Sequence, residues 1–164
     1  FKELELLIID EVSMLRSDIL DAIDFVLRFT RRKRNLPFGG VQVLFIGDLM
    51  QLPPVVKDDE WRYLKEYYKS AFFFDALVLK ESAPVYVELD KVYRQQDEVF
   101  ISLLNNFRNN KVSAADIQRL NQNYRPDFSS DLSDNYITLT THNNKASQLN
   151  QTNLGKLSGK SVFF

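Results

Sequence analysis

The sequence predicts an α/β fold built on a parallel sheet flanked by helices. Three observations carry that prediction. Two short apolar runs, residues 4–9 and 41–46, read as buried strands. Each ends abruptly in acid: Asp10 with Glu11 after the first, Asp48 behind Gly47 after the second. The stretch between them has helical spacing, and parallel neighbours need a crossover of that kind.

Within the crossover, Leu15, Ile19, Ala22, Ile23, Val26 and Leu27 recur at three- and four-residue steps. Ser13 is placed to cap this helix at its N-terminus. The helix runs out into Arg31, Arg32, Lys33 and Arg34, and residues 37–40 (PFGG) mark a turn. After the second strand, Pro53 and Pro54 break regular structure. Residues 58–69 can form a helix with Trp61, Leu64 and Tyr68 on one side. Residues 72–79 are aromatic-rich and fit more than one conformation, with the Phe72, Phe73, Phe74 run read as core packing. Residues 85–89 read as a third strand, and 99–107 and 114–123 as helices. Residues 126–135, rich in Ser and Asp with one Pro, read as a linker. Beyond it come a strand over 136–140, a helix over 143–157 ended by Ser158 and Gly159, and the start of a further strand at 161–164. The expected organisation is therefore a domain over 1–125, a linker, and the start of a second domain over 136–164.

Composition bounds the function. The 164 residues are 45% hydrophobic and include thirteen Phe and seven Tyr, enough for a globular core. The formal net charge of -1 excludes nucleic-acid binding over the whole surface, leaving a local groove or stripe. With no Cys, disulfide scaffolds and Cys-based zinc sites are excluded, and a single His rules out multi-His metal sites. No apolar run approaches the roughly 18 residues of a membrane span. The sequence opens on Phe1 rather than Met and enters a strand-like segment at once, without signal-peptide features, which reads as a chain cut from a longer one.

In open parallel sheets, ligands sit outside the carboxyl ends of the strands. Three predicted strand ends carry polar residues: Asp10 with Glu11, Asp48 with Gln51, and Arg94. They converge on one crevice if the sheet is parallel. In LLIIDEVSM (residues 6–14), an aspartate ending a buried strand can hold Mg²⁺ through a coordinated water. The adjacent glutamate can orient or deprotonate a water attacking a γ-phosphate. The blander alternative is a strand ending at a solvated helix start. In GDLMQLPP (residues 47–54), Gln51 both donates and accepts hydrogen bonds, so it can touch a γ-phosphate or its water. The alternative is a turn, since Gly, Asp and Pro favour turns. In VELDKVYRQ (residues 87–95), Arg94 could stabilise transition-state charge, or be a surface residue or a structural ion pair. The cations Arg28, Arg31, Arg32, Lys33 and Arg34 are either a nucleic-acid patch or a solvated helix end complementing the dipole.

These motifs, in this order and spacing, resemble superfamily 1 DNA helicases, specifically the petite integration frequency family of 5′-to-3′ helicases, with RecD-like helicases as relatives. EVSMLRSDILDAIDFVLR (residues 11–28) is similar to that family's signature helix. FRNNKVSAADIQRLNQ resembles its helical exit from the first motor domain, and ITLTTHNNKASQLN its entry into the second. The resemblance covers residues 4 to about 157. It implies a partial P-loop NTPase (RecA-like) fold, running from the Walker B strand through the arginine-finger motif, followed by the start of a second RecA-like domain. It implies Asp10 as magnesium ligand, Glu11 as catalytic base, Gln51 as γ-phosphate sensor and Arg94 as arginine finger, with ATP as substrate and Mg²⁺ as cofactor. Pro53, Pro54 and Val55 are the implied DNA-facing residues, joined by Thr141, His142 and Asn143; for His142 a loop or helix-cap role is the alternative. Single-stranded and forked DNA are the implied partners, in DNA repair and telomere maintenance. The implied location is intracellular: cytoplasmic in a bacterium, nuclear or mitochondrial in a eukaryote.

The family's phosphate-binding loop, GxxGxGK[ST], has no match here. Its absence implies that this polypeptide alone is inactive, that the missing N-terminal part of the same motor completes the site, and that apolar sheet edge is exposed. Two other readings stand beside the helicase motor: a RecD-like motor of a nuclease or relaxase complex, and a non-catalytic interaction domain derived from a P-loop NTPase.

Overall fold

A computed structural model describes residues 1–128, 136–157 and 159. The chain divides into two compact units, Phe1–Asp116 and Ile117–Phe164.

The first unit is built on two parallel strands, β1 (Leu6–Ile9) and β2 (Gln42–Phe45). Their register runs from Leu6 opposite Gln42 to Ile9 opposite Phe45. The crossover between them is helix α1 (Ser17–Thr30). Alternation along both strands turns Leu7, Ile9, Val43 and Phe45 towards α1, where Leu20 and Leu27 are buried. Leu20 has no exposed surface; burying a side chain of that size contributes about 1.5–3 kcal/mol. The opposite sheet face carries Leu6, Ile8, Leu44 and Ile46, which stay between 44% and 54% exposed. Beside β1, a groove of about 350 Å³ is lined by Leu4, Leu7, Ile9, Ile19, Ile23 and Val26. The far face of the sheet and this groove thus both present apolar side chains.

Helix α1 does not begin at a Ser13 cap. A 3-10 turn, Val12–Met14, intervenes, and Ser13 is fully buried, its hydroxyl without a hydrogen-bond partner among the described residues. The first helical residue is Ser17, whose amide donates to the Ala71 carbonyl at 2.8 Å and whose hydroxyl donates to the Ser70 carbonyl. A tertiary contact thus does the work of a local cap. Arg16, just outside the helix, pairs with Asp18 and Glu60 at 2.8 and 2.7 Å.

Helix α2 (Asp58–Leu64) is shorter than the 58–69 span, though Trp61, Leu64 and Tyr68 all lie half-buried as its spacing implies. Residues 72–79 resolve into a 3-10 turn, Phe73–Asp75, and helix α3 (Leu77–Glu81). Of the three phenylalanines only Phe73 is buried, 5.4 Å from the Phe45 ring, because consecutive side chains on a 3-10 turn cannot share one direction. The N-terminus of α3 is held by Asp21 of α1, which accepts the amides of Leu77 and Val78 at 2.9 Å each and the Tyr68 hydroxyl at 2.9 Å.

The strand expected over 85–89 does not form: Val85, Tyr86, Val87 and Leu89 are between 74% and 92% exposed. The same holds for 136–140. Both are extended, but among the described residues neither has a neighbour to exchange backbone hydrogen bonds with, and pairing is what makes a strand. Helix α4 (Glu98–Arg108) starts at Asp97, whose carboxylate accepts the amides of Val99 and Phe100. Helix α5 (Ala114–Asn121) opens on a reciprocal cap: the Ser113 amide donates to Asp116 and the Asp116 amide to the Ser113 hydroxyl. The division between units falls inside α5.

In the second unit, helix α6 (Asn143–Leu154) stops short of the expected 157. Phe128 and Tyr136 meet edge to face at 5.0 Å. The strand expected at 161–164 lies outside the described residues, as does most of the linker. No helix among the described residues is long and apolar enough to cross a membrane.

Candidate functional site

The parallel register places the carboxyl ends of β1 and β2 side by side, and the ladder continues past both strands. The Ile46 amide donates to the Ile9 carbonyl at 2.9 Å, and the Val12 amide to the Ile46 carbonyl at 3.0 Å. Asp10 and Glu11 lie between these two bonds. The neighbouring chain must come close here. A Cβ on Gly47 would stand 2.9 Å from the Val12 amide nitrogen, a distance real Cβ atoms do not adopt. Glycine at 47 is thus what lets the two strand ends meet.

Glu11 has φ 51° and ψ 41°, left-handed backbone that costs a residue with a β-carbon about 1–2 kcal/mol. Its amide donates to Asp10 Oδ1 at 2.9 Å. Both residues are exposed. Asp10 Oδ2 accepts no hydrogen bond among the described residues, so one carboxylate oxygen remains available. No cluster of three or more His, Cys, Asp or Glu with metal-site geometry occurs among those residues. A lone carboxylate fits Mg²⁺, which takes one or two protein oxygens and fills its shell with water and phosphate; it does not fit a cation needing an all-protein cage.

On the facing strand end, Asp48 organises the turn that carries Gln51. Its backbone carbonyl accepts the Gln51 amide at 3.0 Å, Oδ1 accepts the Met50 amide at 3.0 Å, and Oδ2 lies 3.4 Å from Gln51 Nε2. Arg108, the last residue of α4, donates from Nε to Oδ2 at 3.2 Å and from Nη2 to Oδ1 at 3.4 Å. Burial opposes ionisation of Asp48, but the Met50 amide and Arg108 outweigh it and hold its carboxyl below the ordinary carboxylate value. The turn reading of GDLMQ is therefore correct as conformation, and Gln51 is exposed in the turn that follows the carboxyl end of β2, beside which β1 ends in Asp10 and Glu11.

Arg94 does not end a strand. It lies in the exposed segment ahead of α4 and makes no side-chain hydrogen bond or ion pair among the described residues. Convergence of three strand ends is thus reduced to two. Pro53 and Val55 are exposed and Pro54 half-buried. In the second unit, His142 occupies the N-cap position of α6, yet its side chain does not cap; Nδ1 lies 2.8 Å from Thr141 Oγ1. Thr141 and Asn143 are exposed beside it.

The basic cluster separates into two kinds. Arg28 pairs with Asp24 at 2.7 Å and Glu81 at 2.8 Å, and Arg31 donates to the carbonyls of Gly39, Lys2 and Leu4. These two are structural. Arg32 and Arg34 line a shallow groove of about 500 Å³ with Lys2, Thr30 and an exposed Phe29. Arg108 falls in FRNNKVSAADIQRLNQ, which the sequence marked only as a helical exit, with no role at the site. It is a cation in the last turn of a helix, and its partner lies 60 positions away.

The family profile described as PIF1-like helicase matches residues 1–118. The chain belongs to the PIF1-like helicase family. It is 41% identical over 107 residues to the human ATP-dependent DNA helicase PIF1, covering 65% of this chain and 15% of that protein. It is 42% identical over 103 residues to the Saccharomyces cerevisiae (strain YJM789) PIF1, covering 62% of this chain and 11% of that one. Among solved structures, Pif1 helicase from Bacteroides in complex with ADP-AlF3 and single-stranded DNA superposes with a TM-score of 0.86 at 43% identity, covering 96% of this chain and 37% of that chain. The PIF1-like chain described here thus spans about a seventh or less of these curated relatives. Its α/β core is the RecA-like fold of Pif1 helicases, seen in part: two parallel strands and their crossover.

Proposed function

We propose that this chain carries the water-activating side of the ATP site of a DNA helicase motor. The whole motor would couple ATP hydrolysis to 5′-to-3′ translocation on single-stranded DNA and to unwinding of forked duplex, inside the cell, where such DNA arises. One observation carries the reading: Asp10 and Glu11 share a sheet edge with the Gln51 turn, bound together through Val12 and Ile46. Family membership supports it, as do the nucleotide analogue and single-stranded DNA bound by the Bacteroides relative.

In this reading Asp10, with one carboxylate oxygen not engaged by the Glu11 amide, would hold Mg²⁺, and the ion would offset phosphate charge. Glu11 accepts a proton from the attacking water as its oxygen bonds to the γ-phosphorus and the bond to the β–γ bridging oxygen breaks. The Glu11 amide, not its carboxylate, meets Asp10, so the two acids are free to take different tasks. Gln51 hydrogen-bonds the γ-phosphate or its water, and Arg94 reaches that phosphate when the segment ahead of α4 packs against the nucleotide. Pro53, Pro54 and Val55 face DNA in the first unit, and Thr141, His142 and Asn143 do so in the second. The phosphate-binding loop, absent from residues 1–164, comes from a further part of the same motor, which would also cover the apolar face and edge at β1. The domain plan remains a first motor domain over 1–125, a linker over 126–135 and a second from 136.

The test is Glu11→Gln in the full-length polypeptide. DNA-stimulated ATP turnover should fall by about 10²–10⁴ with nucleotide binding retained. Near-normal turnover overturns the assignment of the base.

A further inference from the structure

We propose that Arg108 is a positioning residue for Gln51, acting through Asp48. The inference rests on the reading of Gln51 as the residue that meets the γ-phosphate.

Each oxygen of the Asp48 carboxylate serves two donors, one from the turn and one from Arg108. Oδ1 accepts the Met50 amide at 3.0 Å and Arg108 Nη2 at 3.4 Å; Oδ2 accepts Arg108 Nε at 3.2 Å and faces Gln51 Nε2 at 3.4 Å. A carboxylate bound only by the turn can rotate about its Cβ–Cγ bond. A two-pronged guanidinium fixes its plane, and with it the direction of the oxygen that Gln51 rests against. The contact to Gln51 is the longest of the four acceptor contacts along with Nη2, so the amide is aimed without being held tightly. It can leave for a phosphate oxygen and return.

The pair does not explain itself as a stabilising device. The Arg108 side chain is 46% exposed and that of Asp48 26%, and ion pairs at such exposure contribute little to stability. What it does do is fasten the C-terminal end of α4, the helix that follows the Arg94 segment, to the end of β2. The residue that carries this link lies outside every motif that marks the site in the sequence.

The experiment is a double-mutant cycle in the full-length polypeptide, with DNA-stimulated kcat and KM for ATP measured for Arg108→Ala, Gln51→Ala and the pair. A misplaced sensor predicts that Arg108→Ala lowers kcat by roughly ten- to a hundred-fold with KM within about twofold. It also predicts that the double variant is no slower than Gln51→Ala alone, because the two losses are one. Arg108→Lys, which keeps the charge but not the fork, should fall between Arg108→Ala and wild type. If Arg108→Ala does not fold, the same cycle run with Arg108→Lys decides. Unchanged kcat in a folded Arg108 variant, or losses that multiply in the double variant, overturn the proposal while leaving the Gln51 reading intact. Wild-type turnover by Gln51→Ala overturns both.

Discussion

The amide of Val12 donates to the carbonyl of Ile46 at 3.0 Å, one step beyond the last paired residues of the sheet. That bond brings the two strand ends together. Asp10 and Glu11 precede it on one side; Gly47, Asp48 and the Gln51 turn follow it on the other.

Gly47 is the position where this closure is most sensitive. In Gly47→Ala the added carbon would meet the Val12 amide nitrogen at 2.9 Å and the Val12 side chain at 3.0 Å. Relief requires the strand ends to part, since backbone cannot swing aside as a long side chain can. The expected cost is about 1–3 kcal/mol, as for other overpacked sites. ATP turnover of the full-length polypeptide should fall further than that loss of stability explains. Urea unfolding and steady-state kinetics on the same preparation check both.

Glu11 offers a case where stability and chemistry should separate. Its φ of 51° is strained for glutamate and ordinary for glycine. Relief of strain in Glu11→Gly is offset in part by the greater freedom of glycine in the unfolded chain. Stability should therefore hold or rise by up to about 1 kcal/mol, while hydrolysis is lost with the carboxylate. A variant that unfolds more readily than wild type would show that Glu11 makes a stabilising contact instead.

Tyr68 links pH to the packing beneath the site. Burial, and then its hydrogen bond to Asp21, raise the phenol well above the ordinary tyrosine value. A raised folded-state value means that the contribution is complete below the unfolded tyrosine pKa and lost as pH climbs through the raised one. Tyr68→Phe should thus cost about 1 kcal/mol, the worth of one hydrogen bond. That difference should be constant from neutral pH to about pH 10 and vanish only in stronger alkali. Unfolding curves at several pH values test this; a difference that shrinks well below the ordinary tyrosine pKa, or that persists undiminished in strong alkali, would contradict it.

Periodicity marked α1 and the two strands because each has an apolar pattern that local sequence displays in full. The residues 11–28 resemblance and the acids at the strand ends were legible for the same reason. The helix start was not. Ser13 has the composition of a cap, but Val12 and Ser13 are drawn into the core beneath Gly47, and Ser17 finds its partners at Ser70 and Ala71. Residues 85–89 have the composition of a strand but no neighbour in register among the described residues, and composition does not report a neighbour. Apolar phenylalanines at 72–74 looked equivalent until the 3-10 turn buried one of them.

The sequence by itself determined the kind of protein this is. The order LLIIDEVSM, GDLMQLPP, VELDKVYRQ resembles the PIF1-like helicase family, to which the family profile assigns residues 1–118, because the residues that carry the resemblance are local. Tertiary structure alone decided which of them meet. Asp10, Glu11 and Gln51 share an edge because parallel pairing fixes both ends of the ladder at once. Arg94 has no such pairing to fix it. Arg108 joins the Gln51 turn only because Asp48, 60 residues earlier, is folded to within hydrogen-bond reach of its guanidinium. Hydrogen bonds and ion pairs act over a few ångströms of space, whatever the distance along the chain.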